Sequence, residues 1–149
     1  MPHKPPDLSP DMANRLDAGE VMLQAEQAVT AACEFFGISN EWRVRVLART
    51  PPDGAADITH DPSYLWADVR LDIAYYRQYP QELWSDMGHE VAHLVTSEFG
   101  HLWNRLPQDH PTVQALQEYR KDAVERATVR LERLWLRCNP DPRAGSPPT

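Results

Sequence analysis

Apolar residues recur every three or four positions in three stretches of the chain, and between the first two stretches they alternate with polar residues. The first helical stretch is predicted over residues 17–36 and ends at Gly37. Alternation predicts strands over residues 41–50 and 65–73, and a shorter strand is predicted over residues 57–60. The pattern therefore indicates an α+β fold, in which an N-terminal helix precedes a short three-stranded, mostly antiparallel sheet.

The second helical stretch is predicted to begin after Tyr79, because Pro80 suits the first turn of a helix and disfavours helical geometry in the residue before it. Its apolar stripe consists of Trp84, Met87, Val91, Leu94, Val95 and Phe99. Gly88 has no side chain, and we expect this to allow close packing against a strand. A loop is predicted over residues 100–111.

The third helical stretch is predicted to run from Pro111 to about Arg137. Its core face is predicted to contain Val113, Leu116, Val124, Ala127, Leu131, Leu134 and Trp135. In the sheet, acidic residues such as Asp68 are expected to pair across the strands with arginines such as Arg45.

The second helix carries His89, Glu90 and His93 in the order H-E-x-x-H. Residues four apart lie on one face of a helix, so the two histidines can bind a single metal ion. Glu90 lies about 100° further round, where its carboxylate can reach a water on the metal without being a ligand. A zinc ion lowers the pKa of such a water, and the carboxylate can then take its proton. The motif therefore predicts a Zn²⁺ cofactor and Glu90 as a general base.

Composition limits the kinds of partner that the chain is expected to have. The 149 residues are 42% hydrophobic, which predicts a single domain over residues 1–149 with proline-rich, flexible tails at 1–10 and 139–149. A net charge of −7 argues against a nucleic-acid partner, because phosphate binding needs a basic face. With no long apolar run, we expect no membrane partner and a cytoplasmic location. Cys33 and Cys138 are expected to be free thiols.

The residues after the motif exclude one class of zinc peptidase and favour another. Metzincins continue the motif with a glycine and a third histidine, but Thr96 and Phe99 stand at these positions. The chain instead resembles the gluzincins, in which a glutamate from a downstream helix is the third ligand. Its small size is similar to that of the minigluzincins, which include regulator-cleaving proteases of mobile elements and phage-encoded metallopeptidases. The resemblance rests on residues 56–99 and on DAVERATVRLERLW in the last helix.

This resemblance implies that Glu125 completes a zinc site with His89 and His93. A helical wheel, however, places Glu125 roughly 130° from the centre of the apolar stripe, which predicts a solvent-facing side chain. The residues alone leave five other candidates for the third ligand: Glu118, Asp122, Glu132, His101 and His110. Tyr119 is a candidate for stabilising an oxyanion.

Motif and resemblance together predict a zinc-dependent metallopeptidase that hydrolyses peptide bonds. A peptide or protein substrate is expected to pair with a sheet-edge strand, for which residues 64–75 are the candidate. The alternative is a metal-binding regulatory module, or a phage structural or interaction module, that keeps a zincin fold with little or no catalysis.

Overall fold

The computed structural model describes residues 16–144, which form an α+β arrangement of helices around a small sheet. Its elements are α1 (Ala18–Phe35), β1 (Arg43–Leu47), β2 (Ala56–Asp61), β3 (Trp66–Leu71), α2 (Ile73–Gln78), α3 (Pro80–Asn104) and α4 (Pro111–Cys138). The predicted α+β class and the three long helices are confirmed. The predicted N-terminal tail, residues 1–10, lies outside the described residues, as do the last five residues of the predicted C-terminal tail.

Local sequence signals explain both ends of α1. The Asp17 side chain accepts a hydrogen bond from the Glu20 amide, and the Glu20 side chain accepts one from the Asp17 amide, which makes a capping box. At the other end, Gly37 has φ +71° and the Ile38 amide donates to the Cys33 carbonyl, which is a Schellman motif. The buried face of the helix consists of Val21, Ala25, Ala28, Val29, Ala32 and Cys33.

The sheet has the strand order β1-β3-β2, with β3 in the centre. β3 pairs with β2 in antiparallel fashion and with β1 in parallel fashion, so the sheet is mixed and the prediction of a mostly antiparallel sheet is wrong. Two-residue alternation identifies a strand but carries no information about the direction of its neighbour. The prediction that residues 64–75 form an edge strand is also wrong, because β3 is paired on both sides and the edges are β1 and β2.

The two faces of β3 differ as its alternation predicts. Ala67, Val69 and Leu71 are fully buried in the core. On the other face, Arg45 of β1 makes two hydrogen bonds of 2.7 and 2.8 Å to Asp68, which confirms the expected cross-strand pairing.

The strand pattern was predicted to extend further than β3 does. Asp72 ends the strand by accepting a hydrogen bond from the Tyr75 amide, and this N-cap starts the short helix α2. Before the strand, Leu65 has φ 54° and lies in the turn that follows β2, partly exposed. Both ends of the alternating run are therefore capping or turn residues.

Helix α3 begins at Pro80 as predicted but continues to Asn104, past Gly100. A single glycine lowers helix propensity by only about 1 kcal/mol relative to alanine, which is too little to end a helix that packs along its length. The loop predicted over residues 100–111 is therefore short, and Phe99, predicted in the core stripe, is 69% exposed. None of the helices among residues 16–144 is long and apolar enough to cross a membrane.

Helix α4 packs along α3, and near its C-terminal end Trp135 is fully buried. A Cβ atom added to Gly88 would lie 2.0 Å from the Trp135 ring, so the close packing predicted at Gly88 is made with α4 and not with a strand. Leu116 and Leu134, predicted in the core, are 44% and 47% exposed, because α4 contacts the rest of the protein mainly along one narrow face. In the predicted C-terminal tail, residues 139–144 contact α3, where the Trp84 indole donates to the carbonyl of residue 139.

Candidate metal centre

Two side-chain hydrogen bonds between α3 and α4 show the relative direction of the two helices. Near the start of α3, Ser85 donates a hydrogen bond of 2.8 Å to Glu132, near the end of α4. Near the end of α3, Trp103 donates one of 2.7 Å to Gln117, near the start of α4. The two helices are therefore antiparallel, and the H-E-x-x-H residues face the middle of α4.

Three potential ligand atoms converge between these helices. His89 Nε2 and His93 Nε2 are 3.2 Å apart. The Glu125 carboxylate lies 3.4 Å from His89 Nε2 and 3.8 Å from His93 Nε2. The structure thus brings together the two histidines of the motif and Glu125, the third ligand that the resemblance implies. These three residues could hold a metal ion.

The position of Glu132 determines which nitrogen of His89 faces the group. Glu132 Oε2 lies 2.8 Å from His89 Nδ1, and its other oxygen accepts from Ser85. A carboxylate can only accept, so a neutral His89 carries its proton on Nδ1 and leaves a lone pair on Nε2. A histidine oriented in this way by a carboxylate is typical of metal sites.

His93 has a similar but weaker contact behind its ring. Thr128 Oγ1 is 3.5 Å from His93 Nδ1, and the Thr128 hydroxyl donates to the Val124 carbonyl at 2.9 Å. A lone pair of the Thr128 oxygen therefore remains available to accept from a protonated Nδ1. Both histidines then present lone pairs on Nε2 toward Glu125.

The spacing of the three atoms fits a small tetrahedral cation. Zinc binds imidazole nitrogen and carboxylate oxygen at about 2.0–2.2 Å, which places neighbouring ligand atoms about 3.3–3.5 Å apart in a tetrahedron. One observed separation, 3.4 Å, lies within this range, and the other two, 3.2 and 3.8 Å, lie just below and just above it. Two lone pairs and a carboxylate in such proximity repel one another unless a positive charge lies between them. Two histidines and one carboxylate form a donor set that is typical of catalytic zinc.

Glu90 follows the first histidine but is not part of this group. Burial raises the pKa of the Glu90 carboxyl to about 7, and His89 opposes this effect while Asp57, Asp86 and Glu125 add to it. A carboxylate whose pKa is close to neutral is well suited to accept and return a proton. The arrangement can therefore combine metal binding with general-base chemistry.

The other candidates for a third ligand are not part of this group. Glu132 is behind His89, on the nitrogen that faces away from the group, and Glu118 and Asp122 are exposed on α4. His101 is on α3 and not in a loop, whereas His110 caps the start of α4. Sequence reasoning missed the orienting role of Glu132, although its position seven residues after Glu125, two helical turns on the same face, is a signal that could have indicated it.

A cavity of about 660 Å³ opens beside the motif, between the edge strand β2, α3 and α4. Asp57 and His60 line it from β2, Glu90 and His93 from α3, and Arg120 from α4. Sequence reasoning missed His60 and Arg120, because no local pattern relates β2 or the first half of α4 to the motif. Tyr119, the candidate for the oxyanion, is 72% exposed and is not among the residues that line this cavity.

Comparison of the chain with protein-family models, with curated proteins and with solved structures finds no match.

Proposed function

We propose that the protein is a zinc-dependent metallopeptidase of the gluzincin type, small enough to be minigluzincin-like. His89, His93 and Glu125 would hold Zn²⁺, and Glu90 would act as the general base. The single observation that carries this proposal is the convergence of two imidazole lone pairs and a carboxylate beside a half-buried glutamate in an open cavity.

Each residue of the group has a separate task in the proposed reaction. When bound, zinc would lower the pKa of a coordinated water and polarise the carbonyl of a peptide bond. Glu90 would take the proton of the attacking water and return it to the leaving amine. Glu132 would keep His89 in the tautomer that binds metal.

The free edge of β2 favours the proposal that the substrate is a peptide. β2 pairs with β3 on one side only, and its residues line the cavity next to Glu90 and His93. An extended peptide can add to such an edge through main-chain hydrogen bonds. The candidate strand for substrate pairing is therefore β2, in place of the segment predicted from the sequence.

The test measures zinc content and peptide cleavage in the wild type and in two variants. The wild type should bind about one zinc per chain and cleave members of a broad peptide library analysed by mass spectrometry. Glu90→Gln should keep its zinc but lose hydrolysis by about 100- to 10,000-fold, because an amide cannot accept the proton. Glu125→Gln should lose zinc affinity, because an amide oxygen is a poorer zinc ligand than a carboxylate.

Two exposed glutamates provide matched controls. Glu98→Gln on α3 and Glu118→Gln on α4 make the same chemical change away from the group and should keep both zinc and activity. Zinc lost in Glu90→Gln but retained in Glu125→Gln would reverse the two roles. A zinc-loaded wild type that cleaves no peptide would refute the enzymatic proposal and favour a metal-binding module.

A further inference from the structure

Arg120 on α4 is a half-buried cation that lines the cavity and has no carboxylate partner among residues 16–144. Among the described residues that line this cavity it is the only arginine or lysine. Its Nε atom is buried, and no atom of residues 16–144 accepts a hydrogen bond from it. The cavity is thus lined by a guanidinium whose Nε has no hydrogen-bond acceptor among these residues.

The other half-buried arginines of the described chain are each paired. Arg70 binds Asp57 through two hydrogen bonds, and Arg143 binds Asp141. Removing a guanidinium from water is costly unless an anion or acceptors replace the water. Arg120 is the exception, and it lies where a ligand of the cavity would meet it.

The neighbours of Arg120 hold its side chain in place rather than neutralise it. Its guanidinium carbon lies 5.7 Å from the ring centre of Trp103, within the range of a cation–π contact. Gln117 fixes that indole by accepting a hydrogen bond of 2.7 Å from it. Gly100 contributes no side chain here, and a Cβ added to it would lie 3.6 Å from Arg120 Nη1. A guanidinium held against a fixed ring is suited to bidentate binding of a planar anion.

The charges around the cavity leave Arg120 free for an incoming anion. Asp57, which also lines the cavity, is already bound by Arg70. Glu125 is turned toward the two histidines of the motif. Glu90, the other carboxylate that lines the cavity, makes no ion pair with Arg120 among the described residues, so none of these three carboxylates neutralises Arg120.

We infer that Arg120 is a specificity-determining residue that binds a carboxylate of the peptide substrate, either the C-terminus or an acidic side chain. This inference rests on the proposed peptidase function. Gly100, which adjoins Arg120, lies seven residues after His93 on α3, or about 10 Å along the helix axis. An extended peptide advances about 3.3 Å per residue, so the carboxylate would lie roughly three residues from the bond that is cut.

The experiment compares pools of short peptides that differ only in one carboxylate. One pair of pools has a free or an amidated C-terminus, and the other has Glu or Gln at a fixed position that is moved along the peptide. Binding is measured on zinc-loaded Glu90→Gln, and cleavage is measured with the zinc-loaded wild type. We expect one carboxylate pool to be preferred about tenfold or more over its neutral partner. The pair that shows the preference identifies the source of the carboxylate.

Variants of Arg120 show whether this residue causes the preference. Arg120→Gln should lower the preference for the carboxylate pool to about twofold or less. Arg120→Lys keeps the charge but lacks the paired N–H groups of the guanidinium, so it should retain an intermediate preference. Arg130→Gln removes a charge from an exposed position of the same helix and should keep the full preference. Zinc content and circular dichroism of each variant exclude an effect of misfolding.

The possible results separate this inference from the proposed function. If the wild type cleaves both members of every pair equally, the role of Arg120 is refuted while the peptidase stands. If no pool is cleaved but the acidic pools bind in an Arg120-dependent manner, the carboxylate site stands and the peptidase is refuted. A preference that survives in Arg120→Gln also overturns the inference.

Discussion

Glu132 lies behind the proposed metal site, where it would orient a ligand without contacting the metal. Its carboxylate lies against His89 Nδ1, while Ser85 holds its other oxygen. We expect Glu132→Ala to lower zinc affinity by about 10- to 100-fold, because His89 loses the partner that sets its tautomer and its orientation. A competition titration against a chromogenic chelator would measure the change.

The conservative substitution distinguishes positioning from a purely structural role. Glu132→Gln can still offer an oxygen to His89 Nδ1, so its loss of zinc affinity should be smaller than that of Glu132→Ala. Glu118→Ala, at an exposed position of the same helix, should leave affinity unchanged. Equal affinity in Glu132→Ala and in the wild type would contradict the assigned role.

The two cysteines should differ in reactivity because only one is buried. Burial raises the pKa of the Cys33 thiol to about 11, and Glu34 adds to the effect. At pH 8 only about one thousandth of such a thiol is the reactive thiolate. We therefore expect Ellman's reagent to modify exposed Cys138 quickly and Cys33 only after unfolding. Cys138→Ser should remove the fast phase, and a fast phase that persists would show that Cys33 is accessible.

At the scale of elements, the contact between Gly88 of α3 and Trp135 of α4 aligns the two helices that carry the site. The Trp135 ring is fully buried and stacks on Trp84 at 5.1 Å between ring centres. It therefore has little room to move away from a new side chain. We expect Gly88→Ala to destabilise the protein by about 1–3 kcal/mol in urea unfolding, although alanine favours a helix.

Gly100 in the same helix provides the control. A Cβ at that position would make only an ordinary contact of 3.6 Å, so Gly100→Ala should stabilise the protein by up to about 1 kcal/mol. Because α4 also carries Glu125, Gly88→Ala should weaken zinc binding as well. Unchanged stability in Gly88→Ala would mean that the helices separate easily, which would contradict the proposed alignment.

At the scale of the whole molecule, the proposed site joins α3 to the middle of α4, a helix that has few buried residues. The buried residues of α4 are Thr128 and Trp135 only, and the first half of the helix is mostly exposed. A metal that binds only the folded state stabilises it by about 2.7 kcal/mol at a free concentration of 100 times Kd. For a chain of this size, that corresponds to a rise in Tm of roughly 5–10 °C.

Thermal unfolding with and without zinc tests this coupling. The wild type should show the rise in Tm and lose it on addition of a chelator. His93→Ala, which removes one ligand, should have the same Tm in both conditions. A shift of equal size in His93→Ala would show that zinc stabilises the protein from another place.

Features that depend on neighbouring residues in the sequence could be predicted well. The periodicity of apolar residues predicted α1, α3, α4 and the alternation of the central strand, and local caps such as Asp17 and Gly37 mark the ends of α1. The pairing of His89 with His93 follows from helix geometry alone, because residues four apart share a face. These predictions concern interactions within a few residues of chain, where the sequence is sufficient.

Features that depend on how elements meet were decided by the tertiary structure. Glu125 and Glu132 share one face of α4, and only the antiparallel alignment with α3 turns one toward Nε2 of the histidines and the other toward Nδ1. The position of β2 at an edge of the sheet, and the lack of an acceptor for Arg120 Nε among residues 16–144, likewise depend on segments distant in sequence. The sequence by itself determined the local geometry of the histidine pair, whereas the packing of α4 against α3 determined which carboxylates complete and support it. The physical reason is that helix periodicity repeats with every turn, so the register between two helices is set by contacts such as that of Gly88 with Trp135.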